Sequence, residues 1–383
     1  MSHVVPFGYK VLHGFILPNR YEELREISAG AQDFVAQAFD KSNKTHVTIR
    51  RITLPDYRAD MAGGAERYLF GAAYKQLMFM LRINVESIPK LLNCFTPFPD
   101  ADSMREFYIV TEYMEGNLDS LDRKCLNHDA VAFIVHEVLR VLKFLQSLNI
   151  AHRNISPSNI LFNNNKIKVC GFESSNQYAE TGRQGLFTAY LNKREYRAPE
   201  MFSSIPNQRE SAYGAEVDMW SLGVIFADLL VGHKIFQADD SGEQFREIFG
   251  LLGTPDESFL RRFSVEEADI LRTLTYNEPT FYETFKQENL ATELNGDVEK
   301  CNQATNLLKR MLEIDPKNRI SIEEALDHPY LEEYNQVPPL FNDKEVDINR
   351  IYEFNNALTS TEFRDAIFQA LRRFAESFNI YQS

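Results

Sequence analysis

The 383-residue chain has no run of about 20 apolar residues, so no membrane-crossing helix is expected. Its first 20 residues lack the basic start and unbroken apolar stretch of a secretion signal. Cysteine is scarce and dispersed. Cys94, Cys125, Cys170 and Cys301 include no Cys-x-x-Cys pair, so neither a zinc site nor a disulfide framework is expected. A reducing compartment, cytoplasmic and/or nuclear, fits that usage. Positive charge is also in deficit: 41 basic residues against 55 acidic ones leave −14. Binding to nucleic acid or an anionic membrane needs the opposite surplus, so neither is expected as a partner. Internal repeats and low-complexity tracts are missing. What remains is the composition of a folded globular chain, 44% hydrophobic and 25% charged. Its length exceeds the roughly 250–300 residues that one core fills, so at least two lobes are expected.

Two kinds of periodicity divide the chain. Residues 34–40 and 46–52 read as strands, with the polar Lys41-Ser-Asn-Lys44 as a hairpin turn between them. Residues 66–83 read as a helix with apolar positions at Leu69, Phe70, Ala73, Leu77 and Met80. Strand-like runs follow at 90–95 and 106–112. From Asp129 the pattern turns helical: 130–148, 216–232, 244–251, 303–313 and 321–326. A strand-rich piece followed by a helix-rich piece predicts two lobes joined near 112–118. Residues 332–383 form a tail ending in a basic amphipathic helix at 361–378, with Phe363, Ile367, Leu371 and Phe374.

Four short strings occur in order: His152-Arg-Asn-Ile-Ser-Pro-Ser-Asn159, Ala198-Pro-Glu200, Asp218-Met-Trp-Ser221 and Asp315-Pro-Lys-Asn-Arg319. Together, over residues 21–331, they resemble the eukaryotic protein kinases. Ser28-Ala-Gly-Ala-Gln-Asp33, Leu91-Leu-Asn-Cys-Phe-Thr-Pro97, Leu252-Gly-Thr-Pro255 and the run 320–329 are similar to the MAP kinases, in particular the stress-activated, c-Jun N-terminal-kinase-like branch. The resemblance implies an α+β, bilobal fold: an N-terminal extension (1–20), a small β-rich N-lobe (21–112), a large α-helical C-lobe (113–331) and a C-terminal extension (332–383).

Phosphoryl transfer is mostly positioning and electrostatic stabilisation, so its parts can be checked one by one. The glycine loop over the phosphates keeps only Gly30 of its three glycines; Ser28 and Asp33 replace the others. Asp33 would set a carboxylate against polyphosphate. The strand lysine is Arg50, bulkier and planar. Its helix glutamate partner is Gln76, which is neutral; Glu66, ten residues upstream, is rotated about 80° away. Thr111 falls on a further ATP-site position. Asn154 stands at the catalytic base and cannot accept a proton, and Ser156 stands where the family has lysine. Asn159 keeps the second metal position, while Gly171 leaves the main magnesium ligand without a donor atom. Glu173, two residues on, would point the same way as Gly171 in an extended segment.

Positions that hold the fold are kept. By resemblance, His152 and Phe172 join an apolar spine with Leu91 and Met80. Glu200 pairs with Arg319, and Asp218 caps the catalytic-loop backbone. Thr188-Ala-Tyr190 matches the Thr-x-Tyr phosphorylation site, with Arg153, Arg194 and Arg197 as phosphate-reading arginines. Glu332-Glu333 and the acids at 343, 345 and 347 are the nearest match to an acidic docking cluster. These features imply a MAP-kinase homologue, inactive or deeply impaired, that scaffolds or competes for upstream kinases and docking-motif proteins of MAP kinase signalling. It is expected to be a monomer and to hold no cofactor. The alternative is a divergent active Ser/Thr kinase using ATP and magnesium.

Overall fold

The structure is a computed structural model that describes residues 6–29, 33–55, 65–177, 193–203, 214–274, 278–340, 349–352 and 358–377. The chain divides into two units, one of residues 1–115 with 342–383, the other of 116–341. The first matches the expected β-rich lobe and the second the expected helical lobe.

Unit 1 opens with a hairpin, β1 (Tyr9–Leu12) and β2 (Phe15–Pro18), so the N-terminal extension is part of the lobe. β3 (Tyr21–Ala29), β4 (Asp33–Asp40) and β5 (Thr45–Thr53) follow, then α1 (Ala65–Arg82), β6 (Leu91–Phe95) and β7 (Glu106–Glu112). The five strands β3–β7 form one antiparallel sheet in the order β3-β4-β5-β7-β6. The turn between β4 and β5 is organised by Asp40, whose carboxylate accepts from Arg20 Nε at 3.0 Å, Ser42 N at 3.0 Å and Asn43 Nδ2 at 2.9 Å. Burial alone would raise the Asp40 carboxyl, but Arg20 and these donors hold it below its usual range. Alternation sends Val47 and Ile49 of β5 to one face, where they join Ala36, Ala38, Tyr108 and Val110 beneath Phe15, Leu17 and Tyr21. Arg51 shares that face, its guanidinium 4.8 Å from the Phe15 ring and 4.2 Å from the Phe34 ring. Thr48 and Arg50 therefore project from the opposite face.

Unit 2 contains β8 (Gly116–Asn117), the long helix α2 (His128–Ser147), β9 (Ile150–Ala151), β10 (Ile160–Asn163), β11 (Lys166–Val169) and β12 (Asn176–Gln177). The helices α3 (Glu216–Val231), α4 (Ser241–Leu252), α5 (Glu257–Leu260), α6 (Val265–Thr273), α7 (Phe281–Thr284), α8 (Val298–Met311) and α9 (Ile322–Leu326) complete it. α2 starts where Asn127 accepts the Ala130 N–H at 2.9 Å, and its middle is buried all round, from Ile134 to Leu139. α3 is buried all along its length and forms the centre of this unit.

The tail adds α10 (Asn349–Tyr352) and α11 (Ser360–Ser377), and these belong to unit 1. The two units part at 115/116 and 341/342. The tail is not a free-standing extension: Ile351, Phe363, Ile367 and Leu371 are buried, and α11 packs on α1 and β6.

Candidate functional site

In unit 1, Arg50 pairs in register with Val35 on β4 and Ile109 on β7, and Thr111 lies opposite Thr48 and Leu91. These positions share the sheet face turned away from the hairpin core. Gln76 is buried on α1, as is Met80, while Leu91 is half-buried. Gly30 lies outside the described residues. Asp33 opens β4, paired with Ile52.

In unit 2, the segment from β9 to β12 gathers most of the expected residues. Asp218, near the start of α3, accepts the backbone N–H groups of His152 and Arg153, both at 2.7 Å. These bonds hold Arg153 in the left-handed region, φ 64°. Burial pushes the Asp218 carboxyl up, to about 7, against the pull of the two N–H groups. The His152 and Phe172 rings lie 4.7 Å apart. His152 Nε2 donates to the Cys170 carbonyl at 3.1 Å, and its Nδ1 accepts the Asn154 N–H at 3.2 Å, which fixes one neutral tautomer.

Burial lowers the His152 imidazole to about 4, with the Cys170 carbonyl pulling the other way. In the unfolded chain the same ring takes up a proton near pH 6.5. The folded state therefore binds fewer protons between those values, and stability is lost as pH falls from 6.5 toward 4. The expected result is that the His152 ring resonances stay unshifted from pH 8 to 5 in an NMR titration. Movement with a midpoint near 6.5 would show the ring is not held this way.

Around Gly171 the polar groups close on one another. Gly171 has φ +88°, and a Cβ there would meet the Asn159 side chain at 2.6 Å. Asn159 Nδ2 donates to the Asn154 carbonyl at 2.9 Å, and the Cys170 thiol sits 3.8 Å from its Oδ1. Asn154 Nδ2 donates to Glu173 Oε1 at 2.8 Å. The extended path expected for Glu173 is corrected: Phe172–Ser174 is a single 3-10 turn entered from the left-handed Gly171, so Glu173 swings to Asn154. Ser156 is buried with its hydroxyl 3.1 Å from that of Ser158. A magnesium ion takes oxygen ligands, preferably carboxylates, in near-ideal octahedral geometry. Here Gly171 offers no ligand atom, Glu173 accepts from Asn154 through Oε1, and Asn159 donates through Nδ2 while its Oδ1 lies beside the Cys170 thiol. Among the described residues no group of three or more His, Cys, Asp or Glu could hold a metal.

Glu200 and Arg319 meet as expected, Nη1–Oε1 2.9 Å and Nη2–Oε2 3.2 Å, both buried. Thr188 and Tyr190 lie outside the described residues. Of the three arginines expected to read phosphate, Arg194 donates to the Asp239 carbonyl and Arg197 stacks 5.3 Å from Phe202. Burial, then the neighbouring charge of Arg194, lowers the Arg197 guanidinium below its usual value. Of the acidic candidates, Glu333 is bound by Lys300 at 2.8 Å, and positions 343–347 are outside the described residues. Asp228, in α3, is a further buried acid that the motifs do not single out. It accepts from the Tyr196 hydroxyl at 2.9 Å and from Ile235 N at 2.8 Å, and it pairs with Arg123 at 3.3 Å. Its signal was available: a lone charge deep within an apolar helix must be partnered.

Residues 21–331 match the model of the protein kinase domain. The chain is 31% identical over 391 residues to the stress-activated protein kinase jnk-1 of Caenorhabditis elegans, covering 99% of this chain and 79% of that protein. It is 31% identical over 324 residues to the stress-activated protein kinase JNK of Drosophila melanogaster, covering 83% and 82% respectively.

Proposed function

Because the chain belongs to the protein-kinase family, with JNK-like stress-activated MAP kinases among its relatives, we propose that it is a catalytically inactive member acting as a scaffold or competitor in MAP kinase signalling. The observation that carries this is the pair of losses at Gly171 and Asn154. Gly171 brings no ligand atom to the main metal position, and at the base position Asn154 has an amide that donates to Glu173 where a carboxylate would accept a proton. The retained Asp218 cap and Glu200–Arg319 pair support a role that needs the folded surface without the chemistry. Its partners would be upstream kinases or docking-motif proteins of the cytoplasm or nucleus. Phosphorylation at Thr188 or Tyr190 would bring charge to Arg194 and Arg197, whose mutual repulsion an anion relieves.

Two measurements test this. A ligand that binds only the folded state at 100 times its Kd stabilises by about 2.7 kcal/mol. The melting temperature is expected to stay flat with millimolar ATP, with or without magnesium; a magnesium-dependent rise would contradict a degenerate ATP site. In a reconstituted reaction between an upstream kinase and a stress-activated MAP kinase, added chain is expected to slow phosphorylation of the latter. An unchanged rate at excess chain would remove the competitor role. The second reading, a divergent active kinase, draws on Glu173, whose carboxylate lies within 2.8 Å of Asn154.

A further inference from the structure

Three buried histidines of unit 2 converge on one short stretch of chain. His128 opens α2, His136 lies further along the same helix, and His328 caps the 3-10 turn Pro329–Tyr334. Tyr330 sits between two of them. Its backbone N–H donates to His328 Nδ1 at 3.2 Å, and its hydroxyl lies 3.0 Å from His128 Nδ1. The other nitrogen of each ring faces an oxygen that only accepts: Asn306 Oδ1, 3.0 Å from His328 Nε2, and the Leu294 carbonyl, 3.1 Å from His128 Nε2. Each ring therefore carries its proton on Nε2 and offers Tyr330 the lone pair of Nδ1, which only a neutral imidazole has.

Tyr330 anchors the turn. It is buried, and its ring lies 5.4 Å from Phe226 in α3. The chain then runs along α2. The Tyr334 ring stacks on His136 at 5.2 Å, its hydroxyl donates to the Asp129 carbonyl at 3.1 Å, and Arg140 Nη2 donates to the Pro338 carbonyl at 2.7 Å.

The three rings differ in what a proton would meet. His136 Nδ1 lies 3.3 Å from the Glu137 carboxylate, which would take the charge. A charged His128 keeps Tyr330, because the hydroxyl turns to accept from Nδ1 and donates to the His128 carbonyl at 3.4 Å instead. A backbone N–H cannot turn. A proton on His328 Nδ1 meets the Tyr330 N–H donor to donor, and the cap is lost. The charges acting on His128 are Asp129 of α2 and Asp297 and Lys300 at the start of α8. The charge acting on His328 is Arg310 of α8, itself 3.6 Å from Glu324 of α9. Burial, then Arg310, holds the His328 imidazole below its usual value.

We propose that residues 328–338 form an acid-released strap, in which protonation of His328 uncaps the turn and frees this stretch from α2. A released ring takes up its proton near pH 6.5, and the docked one resists it. The docked strap thus binds fewer protons, so docking weakens as pH falls below 6.5. Glu332 and Glu333 ride on the turn, with Glu333 held by Lys300 at 2.8 Å, so release unties them too. The strap needs no partner and no phosphate transfer, so it fails or survives independently of the function proposed above.

The test is hydrogen exchange of the full chain at pH 8 and pH 5, corrected for the intrinsic rates at each pH. His152 weakens the whole unit over part of this range, so the reading is local. Protection of the peptide 328–338 is expected to fall at least about tenfold more than that of α3. His328→Asn keeps a capping acceptor that does not titrate, and the excess fall is expected to disappear. Equal falls in the two regions, or an excess that persists in His328→Asn, overturn the proposal. Should the variant not melt cooperatively, the wild-type comparison decides alone: an excess confined to 328–338 supports the strap, and none overturns it.

Discussion

Replacing Arg319 by alanine is expected to cost about 3–5 kcal/mol, the range for breaking one side of a buried ion pair. Arg319 is fully buried and Glu200 nearly so. The guanidinium also donates to the Glu216 carbonyl at 2.6 Å, the Glu313 carbonyl at 3.0 Å and the Ile314 carbonyl at 3.3 Å, and it lies 5.2 Å from the Trp220 ring. Truncation leaves a buried carboxylate uncompensated and removes the donor from three carbonyls at once. Arg319→Lys is expected to recover little, because an ammonium cannot reproduce the two-pronged grip. Urea unfolding followed by circular dichroism measures the loss. A change under about 1 kcal/mol would show that the pair behaves as an exposed bridge and not as the buried one described. Arg272→Ala, which breaks exposed pairs to Glu257 and Asp269, is the control and is expected to leave the midpoint in place.

Restoring single catalytic groups is expected to restore nothing. Asn154→Asp alone supplies a base, whose loss typically costs about 10²–10⁴ in rate, but no ion is held beside it. Gly171→Asp alone supplies a carboxylate at a position where a Cβ falls 2.6 Å from the Asn159 side chain, on a backbone with φ +88°. That conformation costs an L-residue about 1–2 kcal/mol, so this variant is expected to lose stability without gaining transfer. Groups that act as a unit are strongly non-additive. Combining Asn154→Asp, Ser156→Lys and Gly171→Asp is therefore expected to raise phosphate transfer at least about 100-fold above either single variant. A 100-fold gain from Asn154→Asp by itself would mean that a metal ion is already bound in the native chain.

Much of the fold was legible because periodicity reports burial directly. The strand at 106–112 was visible as a strand-like run and the helix at 66–83 as a pattern of about 3.6 residues, and both are present as β7 and α1. Alternation likewise separates Arg50 from its neighbour Arg51, which faces the hairpin. The amphipathic stripe of the tail was visible, but a stripe does not name the surface that covers it. Nothing local in Phe363 or Ile367 indicates α1, and Phe374, expected in the stripe, is only half-buried while Phe368 takes its place. At the candidate site the residue types were legible and their bonds were not. That Glu173 bonds Asn154, and that Asn159 fills the space beside Gly171, depend on one left-handed backbone angle and on contacts between segments twelve and nineteen residues apart. No spacing rule encodes those contacts.

The most direct test of the central claim is transfer by the native chain itself. Purified protein is incubated with labelled ATP, magnesium or manganese and a generic Ser/Thr substrate, beside the Arg50→Ala variant. No incorporation above the variant is expected. Incorporation that is clear in the native chain and vanishes with Arg50→Ala would contradict the account and make this a working kinase.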